Sequence, residues 1–580
     1  MKKYYSSEEN VQILIALLKA HKIKKVIASP GTTNIAFIGS IQSDSYFEIY
    51  SSVDERSAAY IACGLAAESG EPVVLSCTGA TASRNYIPGL TEAFYRKLPI
   101  LAVTSTQHIG RIGNNIPQVI DRRQQLNDII KLSIELPIIH DEEDRWAAEV
   151  DVNRALIELR DHGSGPVHIN LTTTYSLDFS IKELPKVKVI KKITYGEELP
   201  EISGKKIGIF VGAHKKWTIK LTELVDKFCS YYNSVVFCDH TSNYKGKYQI
   251  NASLLCSQPQ SDGIFNDLDI IIHIGDISGA YMNVFSKQVW RVNRDGKVRD
   301  TFKKLTYTFE MEEEDFFESY LKNVIEKNEK SSYFKECKEK YRILLEKIPE
   351  LPFSNVWIAQ NSVKLLPKNS VLHLGLLNTL RSWNFFEISN SVLGYSNTGA
   401  CGIDGIISSL VGASLANKDQ LYFGVLGDLA FFYDLNVLGN HHVGNNIRII
   451  LINNGKGTEF TNYNHPAANF GKDADRYMAA AEHFGNKSRV LVKNFVEELG
   501  FEYISAENKK EYLEKYNYFF SEKKLEKPII FEVFTDSDDE SNAIKIMNNL
   551  EISPKTKIKN VAKKIIGKNR IEKLKKILKK

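Results

Sequence analysis

The stretch YFGVLGD, residues 422–428, decides the fold together with IRIILIN, residues 447–453, and the NGKG that follows at 454–457. Each apolar run is short and ends in a polar or glycine-rich turn, which is typical of a strand buried on both faces. The order strand, turn, helix, strand is the order of a parallel α/β sheet. We therefore expect two parallel strands whose carboxyl ends meet at one edge of a sheet, where such folds place their sites.

Oxygen-bearing residues follow both strands at this edge. Asp428 comes after the first strand, and Asn454 ends the second strand 26 positions later. Magnesium prefers hard oxygen ligands and usually shares phosphate oxygens. We therefore predict Asp428, Asn454 and the carbonyl of Lys456 as metal ligands, with Gly427 allowing a phosphate to approach the backbone closely. The alternative is that these residues only form turns, because Gly-Asp and Asn-Asn are each common there.

The first third of the chain repeats the rhythm of strand, small-residue turn and helix. Apolar runs at 26–28, 72–76 and 100–103 lead into SPG, CTGAT and TST. The middle of the chain has predicted strands at 206–211, 234–238 and 268–274. No GxGxxG follows any of them, which leaves a dinucleotide site with little support. The region 310–347 is charged and mostly helical in pattern.

These patterns predict an α/β protein with three doubly wound parallel-sheet domains. We place the domains at residues 1–185, 204–345 and 352–550, with a polar linker at 186–203 and a separate tail at 554–580. At 580 residues the chain is too long for a single core, which agrees with several domains.

The bulk composition is that of an ordinary soluble globular protein. No apolar run reaches membrane-spanning length, and no signal-peptide pattern stands at the N-terminus. The seven cysteines are scattered and lack CxxC spacing, which argues against a disulfide framework or a zinc site. We expect a cytoplasmic protein.

The positive net charge comes from the C-terminal tail. The chain has a net charge of +5, but residues 554–580 alone carry +11, which leaves −6 for the rest. The charge therefore gives no reason to expect nucleic-acid binding by the enzyme body. Apolar residues at roughly helical spacing lie among the tail lysines, so weak contact of the tail with a membrane surface, with RNA or with an acidic partner is one interpretation. The other is a solvated helix end.

Two longer segments carry a resemblance. GDLAFFYDLN, residues 427–436, and SNTGACGIDG, residues 396–405, resemble segments of the thiamine diphosphate enzymes. Within them the chain is similar to one subfamily, the menaquinone-pathway synthases of 2-succinyl-5-enolpyruvyl-6-hydroxy-3-cyclohexene-1-carboxylate. The resemblance implies thiamine diphosphate and Mg²⁺ as cofactors. It also implies that 1–185 binds the pyrimidine and 352–550 the diphosphate, and that the cofactor contacts include Leu429, Gly402, Ile403, Thr78 and Gly79.

The resemblance assigns Glu55 to catalysis. It lies in DER, residues 54–56, just past an apparent strand at 47–53 and before a small-residue helix at 57–67. In the family a carboxyl group at this place hydrogen-bonds the aminopyrimidine ring, and an apolar pocket favours its neutral form. The alternative is a carboxylate that stabilises a helix start. The family site forms across a subunit interface, which implies a homodimer or homotetramer, and Ile403 is expected to bend the cofactor, unless it only packs in the core.

The substrate side departs from the subfamily. Thr33, Gln107 and Thr398 stand where the resemblance expects arginines, whereas Arg381 and Gln118 match it. Arginine suits carboxylate substrates through bidentate hydrogen bonds. Losing three such cations would weaken the binding of a multiply charged substrate pair by several kcal/mol, at roughly 1.5–3 kcal/mol for each charged hydrogen bond.

We therefore expect a thiamine diphosphate enzyme that decarboxylates a 2-oxo acid and transfers the acyl carbanion equivalent to a less anionic acceptor. Three alternatives stay open. They are the menaquinone-pathway synthase itself, a simple 2-oxo acid decarboxylase, and a non-catalytic scaffold.

Overall fold

The computed structural model describes residues 4–258, 267–279, 284–322, 332–481 and 488–551. The basic tail at 554–580 lies outside these residues, so its predicted role stays a prediction. The described residues form two compact units. Unit 1 runs to Glu197 and includes Asp295–Glu310, and unit 2 comprises Glu198–Arg294 and the residues from Met311 onward.

Nineteen strands are found in the described residues. They are β1 Lys25–Ala28, β2 Glu48–Ser51, β3 Val73–Cys77, β4 Ile100–Thr106, β5 Leu132–Leu136, β6 Val167–Thr172, β7 Lys191–Thr194, β8 Ile207–Val211, β9 Val235–Cys238, β10 Gln249–Asn251, β11 Leu268–Ile274, β12 Ser286–Val292, β13 Leu305–Glu310, β14 Val371–Leu374, β15 Leu393–Tyr395, β16 Tyr422–Gly427, β17 Ile447–Asn453, β18 Glu502–Ala506 and β19 Ile529–Phe534.

Eighteen α-helices lie in the same part of the chain. They are α1 Glu9–Ala20, α2 Ile35–Ile41, α3 Glu55–Ser69, α4 Thr81–Asn85, α5 Ile87–Tyr95, α6 Glu142–Glu158, α7 Ile219–Tyr232, α8 Ala252–Cys256, α9 Glu313–Leu321, α10 Ser332–Glu346, α11 Asn355–Ser362, α12 Asn378–Trp383, α13 Ile406–Ala416, α14 Asp428–Tyr433, α15 Ala474–Tyr477, α16 Leu491–Glu498, α17 Lys509–Phe519 and α18 Ser537–Met547. Among the described residues, no helix combines the length and the apolar character needed to cross a bilayer.

Unit 1 is built on a parallel sheet of six strands in the order β2-β1-β3-β4-β6-β5. Every residue of β3 and β4 is buried, because helices cover both faces of the sheet. One core packs α1 and α6 on the sheet, and the other packs α3 and α5. The sheet is therefore doubly wound, as predicted.

The sequence of helix α3 accounts for where the helix begins and ends and for its close packing on α5. The side chain of Asp54 caps its first turn, and Gly70 ends it in the left-handed conformation with φ 66°. Its buried face consists of small residues, so α5 approaches closely. A side chain at Gly89 of α5 would collide with Ala59 of α3.

Unit 2 contains two further parallel sheets. Strands β10, β9, β8, β11 and β12 neighbour one another in this order, and a six-stranded sheet has the order β15-β14-β16-β17-β19-β18. In the second of these, α13 and α14 pack on one face. On the other face, Tyr512 of α17 stacks on Phe531 of β19 with ring centroids 5.1 Å apart. The predicted fold class, α/β with three doubly wound parallel sheets, is confirmed.

One local prediction was wrong. The stretch 186–203 was expected to be a linker, but it contains β7, which pairs in parallel with β13 inside unit 1. The polar sequence of β7 hid the strand, because only Ile193 within it is buried. The predicted domain boundaries remain predictions.

Candidate active site

The ends of β16 and β17 lie side by side, as expected from parallel pairing. Gly427 stands opposite Ile452 in the register. Asp428 is the first residue of α14 and is only 2% exposed. Its Oδ2 accepts a hydrogen bond of 2.9 Å from the backbone N–H of Gly455, just beyond β17. The strand itself ends at Asn453, one residue earlier than predicted.

The groups at this edge fit a divalent cation and a phosphate ester. Asn454 has a buried side-chain oxygen with no hydrogen-bond partner, and the next residue, Gly455, is the one that bonds the carboxylate of Asp428. A carboxylate and an uncommitted amide oxygen are hard ligands of the kind that Mg²⁺ prefers. A side chain at Gly427 would point into open space, so the backbone there is accessible to a bulky anion.

An open pocket lies at this edge, and we call it the strand-end pocket. Six residues predicted to bind cofactor or metal line it, whereas Gly402 is not among its lining residues. The six are Ile403, Gly427, Asp428, Leu429, Asn454 and Lys456. The ammonium group of Lys456 donates to Asp475 at 2.9 Å, which leaves its backbone as the part available to the predicted site.

Glu55 lies in unit 1 as the first residue of α3, not before the helix as its sequence suggested. Asp54 takes the capping role instead, and its carboxylate accepts from the Arg56 N–H at 3.0 Å and from the Ser57 hydroxyl at 2.8 Å. Glu55 is therefore not needed to cap the helix. Burial raises the pKa of the Cys77 thiol to about 12, and the charge of Glu55 makes a smaller contribution in the same direction, so Glu55 lies within electrostatic reach of this buried thiol.

Several residues predicted to bind cofactor or substrate meet at the carboxyl edge of the unit 1 sheet. The hydroxyls of Thr33 and Thr78 share a hydrogen bond of 2.7 Å. A side chain at Gly79 would lie 3.0 Å from the Gln118 carbonyl. The side-chain amide of Gln107 donates a hydrogen bond to the hydroxyl of Tyr175. Thr33 itself is buried, at 3% exposure, and its hydroxyl also donates to the Ser105 carbonyl at 3.2 Å.

Comparison with known proteins identifies the family to which the chain belongs. Residues 9–126 match the family described as thiamine pyrophosphate enzyme, N-terminal TPP binding domain. The chain is also 30% identical over 566 residues to the 2-succinyl-5-enolpyruvyl-6-hydroxy-3-cyclohexene-1-carboxylate synthase of Bacteroides fragilis, covering 93% of this chain and 98% of that protein. The chain belongs to the thiamine diphosphate enzyme family.

Other relatives carry the same name. The protein from Bacteroides thetaiotaomicron is 30% identical over 560 residues, with 93% of this chain and 98% of that protein covered. The protein from Christiangramia forsetii is 28% identical over 572 residues, with coverage of 92% and 96%. The similarity thus spans both units of this thiamine diphosphate enzyme. The enzyme acts on a 2-oxo acid, and its cofactor is thiamine diphosphate, normally held with a divalent metal such as Mg²⁺.

The substrate-side residues of unit 2 are placed in two different environments. Thr398 is buried, and its carbonyl accepts from the thiol of Cys401 at 3.1 Å. Arg381 lies in α12 and donates two hydrogen bonds to Glu459, at 2.8 and 3.1 Å. Glu459 lines the strand-end pocket of the thiamine diphosphate enzyme. Glu459 was not predicted from the sequence, although a charged residue so soon after the Asn-Asn turn was a usable signal.

A second missed residue lies behind the pocket wall. Glu540 in α18 is fully buried and accepts from the Asn355 N–H at 2.9 Å and from the Thr535 hydroxyl at 2.8 Å. The side-chain amide of Asn378 lies 3.4 Å from its other oxygen. Burial raises the pKa of Glu540 to about 7. Asn355 and Asn378 both line the pocket, so this carboxyl group supports its wall. Nothing in the acidic run around it distinguishes Glu540 in the sequence.

Proposed function

We propose that this thiamine diphosphate enzyme decarboxylates a 2-oxo acid and joins the remaining acyl group, as a carbanion equivalent, to an acceptor. The reaction of the named relatives is the best-supported form of this proposal. A succinyl group is what remains of 2-oxoglutarate after loss of carbon dioxide, so the product named for the relatives points to 2-oxoglutarate as donor. The observation that carries the proposal is similarity over 98% of the relative's length, together with the oxygen ligands at the strand-end pocket.

Each named residue has a defined task in this proposal. Asp428 and Asn454 hold the metal through their side-chain oxygens, and Gly427 lets the diphosphate approach the backbone. When bound, thiamine diphosphate would supply the nucleophilic carbon for addition to a 2-oxo acid and the electron sink for its decarboxylation. Glu55 donates a hydrogen bond to the pyrimidine ring from its protonated carboxyl group, which an apolar environment favours. The chain otherwise orients the reactants.

We also propose a homodimer in which Glu55 of one protomer serves the pocket of its partner. Large apolar side chains that are exposed in the single chain cluster around Glu55 in the sequence. They are Ile35, Tyr50, Val53, Tyr60 and Ile61. Exposed apolar residues at this density favour burial against another protein surface. A second copy of the chain is the partner that the family arrangement implies.

A less anionic acceptor is a second candidate. The observation that favours it is the lack of unpaired positive charge among the predicted substrate residues. Thr33, Gln107 and Thr398 bring no cation, and the guanidinium of Arg381 is already paired with Glu459. An acceptor such as an aldehyde or a keto-sugar needs fewer cations than a cyclohexene carboxylate. The comparisons favour the relatives' reaction, and the lack of unpaired cations among the predicted substrate residues favours this alternative.

Purified protein with thiamine diphosphate and Mg²⁺ separates these candidates. Carbon dioxide release from 2-oxoglutarate and from pyruvate is measured with and without acceptors, and products are identified by mass spectrometry. The relatives' reaction requires 2-oxoglutarate and yields a succinyl adduct of the cyclic acceptor. Release that is independent of any acceptor indicates a simple decarboxylase. Absence of both turnover and cofactor binding would reject the enzyme proposal in favour of a scaffold.

A further inference from the structure

Glu459, which lines the strand-end pocket, forms an ion pair with Arg381 of α12. Arg381 directs two hydrogen bonds at the carboxylate of Glu459, and the two side chains are 26% and 18% exposed. Two parallel N–H···O bonds are the strongest arrangement that a guanidinium makes with a carboxylate. The first two residues of α12, Asn378 and Thr379, line the pocket with Glu459. An internal carboxylate therefore occupies the guanidinium of Arg381 at the wall of the pocket.

Glu459 is held in this position by its own surroundings. It lies in a 3₁₀ turn, Thr458–Thr461, and its carboxylate also accepts from the Asn462 side chain at 3.2 Å. Gly457 directly precedes this turn and anchors it, because its N–H donates a hydrogen bond of 2.6 Å to the Ala479 carbonyl. Three donated hydrogen bonds from two side chains fix the carboxylate. The ion pair is thus a built feature and not a chance contact of two mobile side chains.

The cation that lines the pocket is also paired. Lys456 is bonded to Asp475 at 2.9 Å. Within the described ranges, the ionisable residues that line the pocket are Asp428, Lys456 and Glu459. Both Lys456 and the nearby Arg381 already have an internal carboxylate partner. A substrate carboxylate that reaches this wall therefore finds both of these cations paired. It must replace an existing carboxylate or forgo the charged hydrogen bond.

We propose that Glu459 is a specificity-determining residue, which competes with a substrate carboxylate for the guanidinium of Arg381. This inference rests on the proposed function, because it concerns the donor or acceptor of that reaction. A substrate with a second carboxylate must displace Glu459 and leave two like charges near each other, which is unfavourable. A substrate with one carboxylate, engaged elsewhere, avoids this cost. Glu459 thus lowers the preference of the site for dicarboxylates.

The experiment compares two unreactive probes on the full-length protein loaded with thiamine diphosphate and Mg²⁺. Glutarate has two carboxylates and butyrate has one, and their dissociation constants are measured by isothermal titration calorimetry. In Glu459→Gln, we expect the preference for glutarate over butyrate to rise roughly tenfold, because the guanidinium loses its charged partner. Glu459→Asp keeps the charge and is expected to stay closer to the wild-type preference. Glu459→Gln combined with Arg381→Gln is expected to abolish the gain.

An unchanged glutarate-to-butyrate preference in Glu459→Gln, or a gain that survives loss of Arg381, overturns the inference. Glu459→Ser is the substitute if the glutamine variant fails to fold, and the same rise is expected. Turnover assays keep the two proposals apart. If wild-type protein turns over a 2-oxo acid but the preference does not move, the function stands and the role of Glu459 falls. If the glutarate-to-butyrate preference rises but no 2-oxo acid is turned over, the effect of Glu459 on ligand preference stands and the proposed function falls.

Discussion

Asp428 is the residue on which cofactor retention should depend most directly. Its buried carboxylate provides a metal ligand in the proposed site and ties α14 to the turn after β17 through Gly455. In Asp428→Ala we expect the affinity for thiamine diphosphate in the presence of Mg²⁺ to fall by roughly tenfold or more. Isothermal titration calorimetry measures the affinity. Asp434→Ala, six positions later, removes a carboxylate that bonds Ser408 and is the matched control. Unchanged affinity in Asp428→Ala would remove this residue from the ligand set.

Glu55 is expected to affect turnover rather than cofactor affinity. Its proposed task is to present a protonated carboxyl group to the pyrimidine, which a glutamine amide does not reproduce. In Glu55→Gln we expect thiamine diphosphate to remain bound and carbon dioxide release to fall by about a hundredfold or more. Glu68→Gln changes an exposed residue of the same helix and serves as the control. Wild-type turnover in Glu55→Gln would reject the catalytic assignment and leave the helix-start interpretation.

At the scale of elements, Glu540 joins three helices behind the pocket. It belongs to α18, and its partners Asn355 and Asn378 are the first residues of α11 and α12. No arginine or lysine is among the groups that shift its pKa, so ionisation inside this junction is unfavourable. The packing of these helices is therefore coupled to the protonation of one carboxyl group.

This coupling predicts a pH dependence of stability. The pKa of Glu540 is raised from 4.5 to about 7 by burial, so between these values the folded protein retains a proton that the unfolded chain releases. Its contribution is complete below pH 4.5 and is lost as the pH rises through about 7. The loss amounts to about 3 kcal/mol of unfolding free energy at most. Urea unfolding of wild type and Glu540→Gln at a series of pH values measures it.

The glutamine variant should lack this part of the pH dependence, because its amide does not titrate. Glu514→Gln, an exposed change on α17, should retain the wild-type slope. An identical slope in wild type and Glu540→Gln would show that Glu540 does not titrate across this range.

At the scale of the whole molecule, the proposed site needs two protomers. The apolar side chains of Tyr60 and Ile61 on α3 are 48% and 49% exposed in the single chain. We expect the wild-type protein to sediment as a dimer or larger assembly. Tyr60→Glu with Ile61→Glu should shift it toward the monomer and abolish turnover, because charges are costly to bury in an apolar interface. Analytical ultracentrifugation measures the assembly.

Leu177→Glu alters another exposed apolar residue, away from α3 in the sequence, and should leave the assembly unchanged. A doubly substituted protein that stays dimeric would exclude this face of α3 as the interface. A monomer with full turnover would exclude the shared site.

The sequence alone determined the fold class, and it predicted that Asp428 and the turn after β17 lie at the same sheet edge, where the metal ligands are proposed. The run Leu268–Ile274 was predicted with the bounds that the structure has, because buried parallel strands are continuous apolar runs between turns. The convergence of Asp428 with the turn after β17 follows from the same rule. Strand β7 escaped prediction, because its polar side chains carry no such signal.

Only the tertiary structure decided which charges meet. Arg381 and Glu459 are 78 positions apart, and Glu540 is 162 positions from Asn378. A local pattern records the burial of a strand, since that depends on neighbouring side chains along the chain. It does not record a hydrogen bond or a pKa shift between distant segments, because those depend on how packing brings separate elements together and removes water from between them.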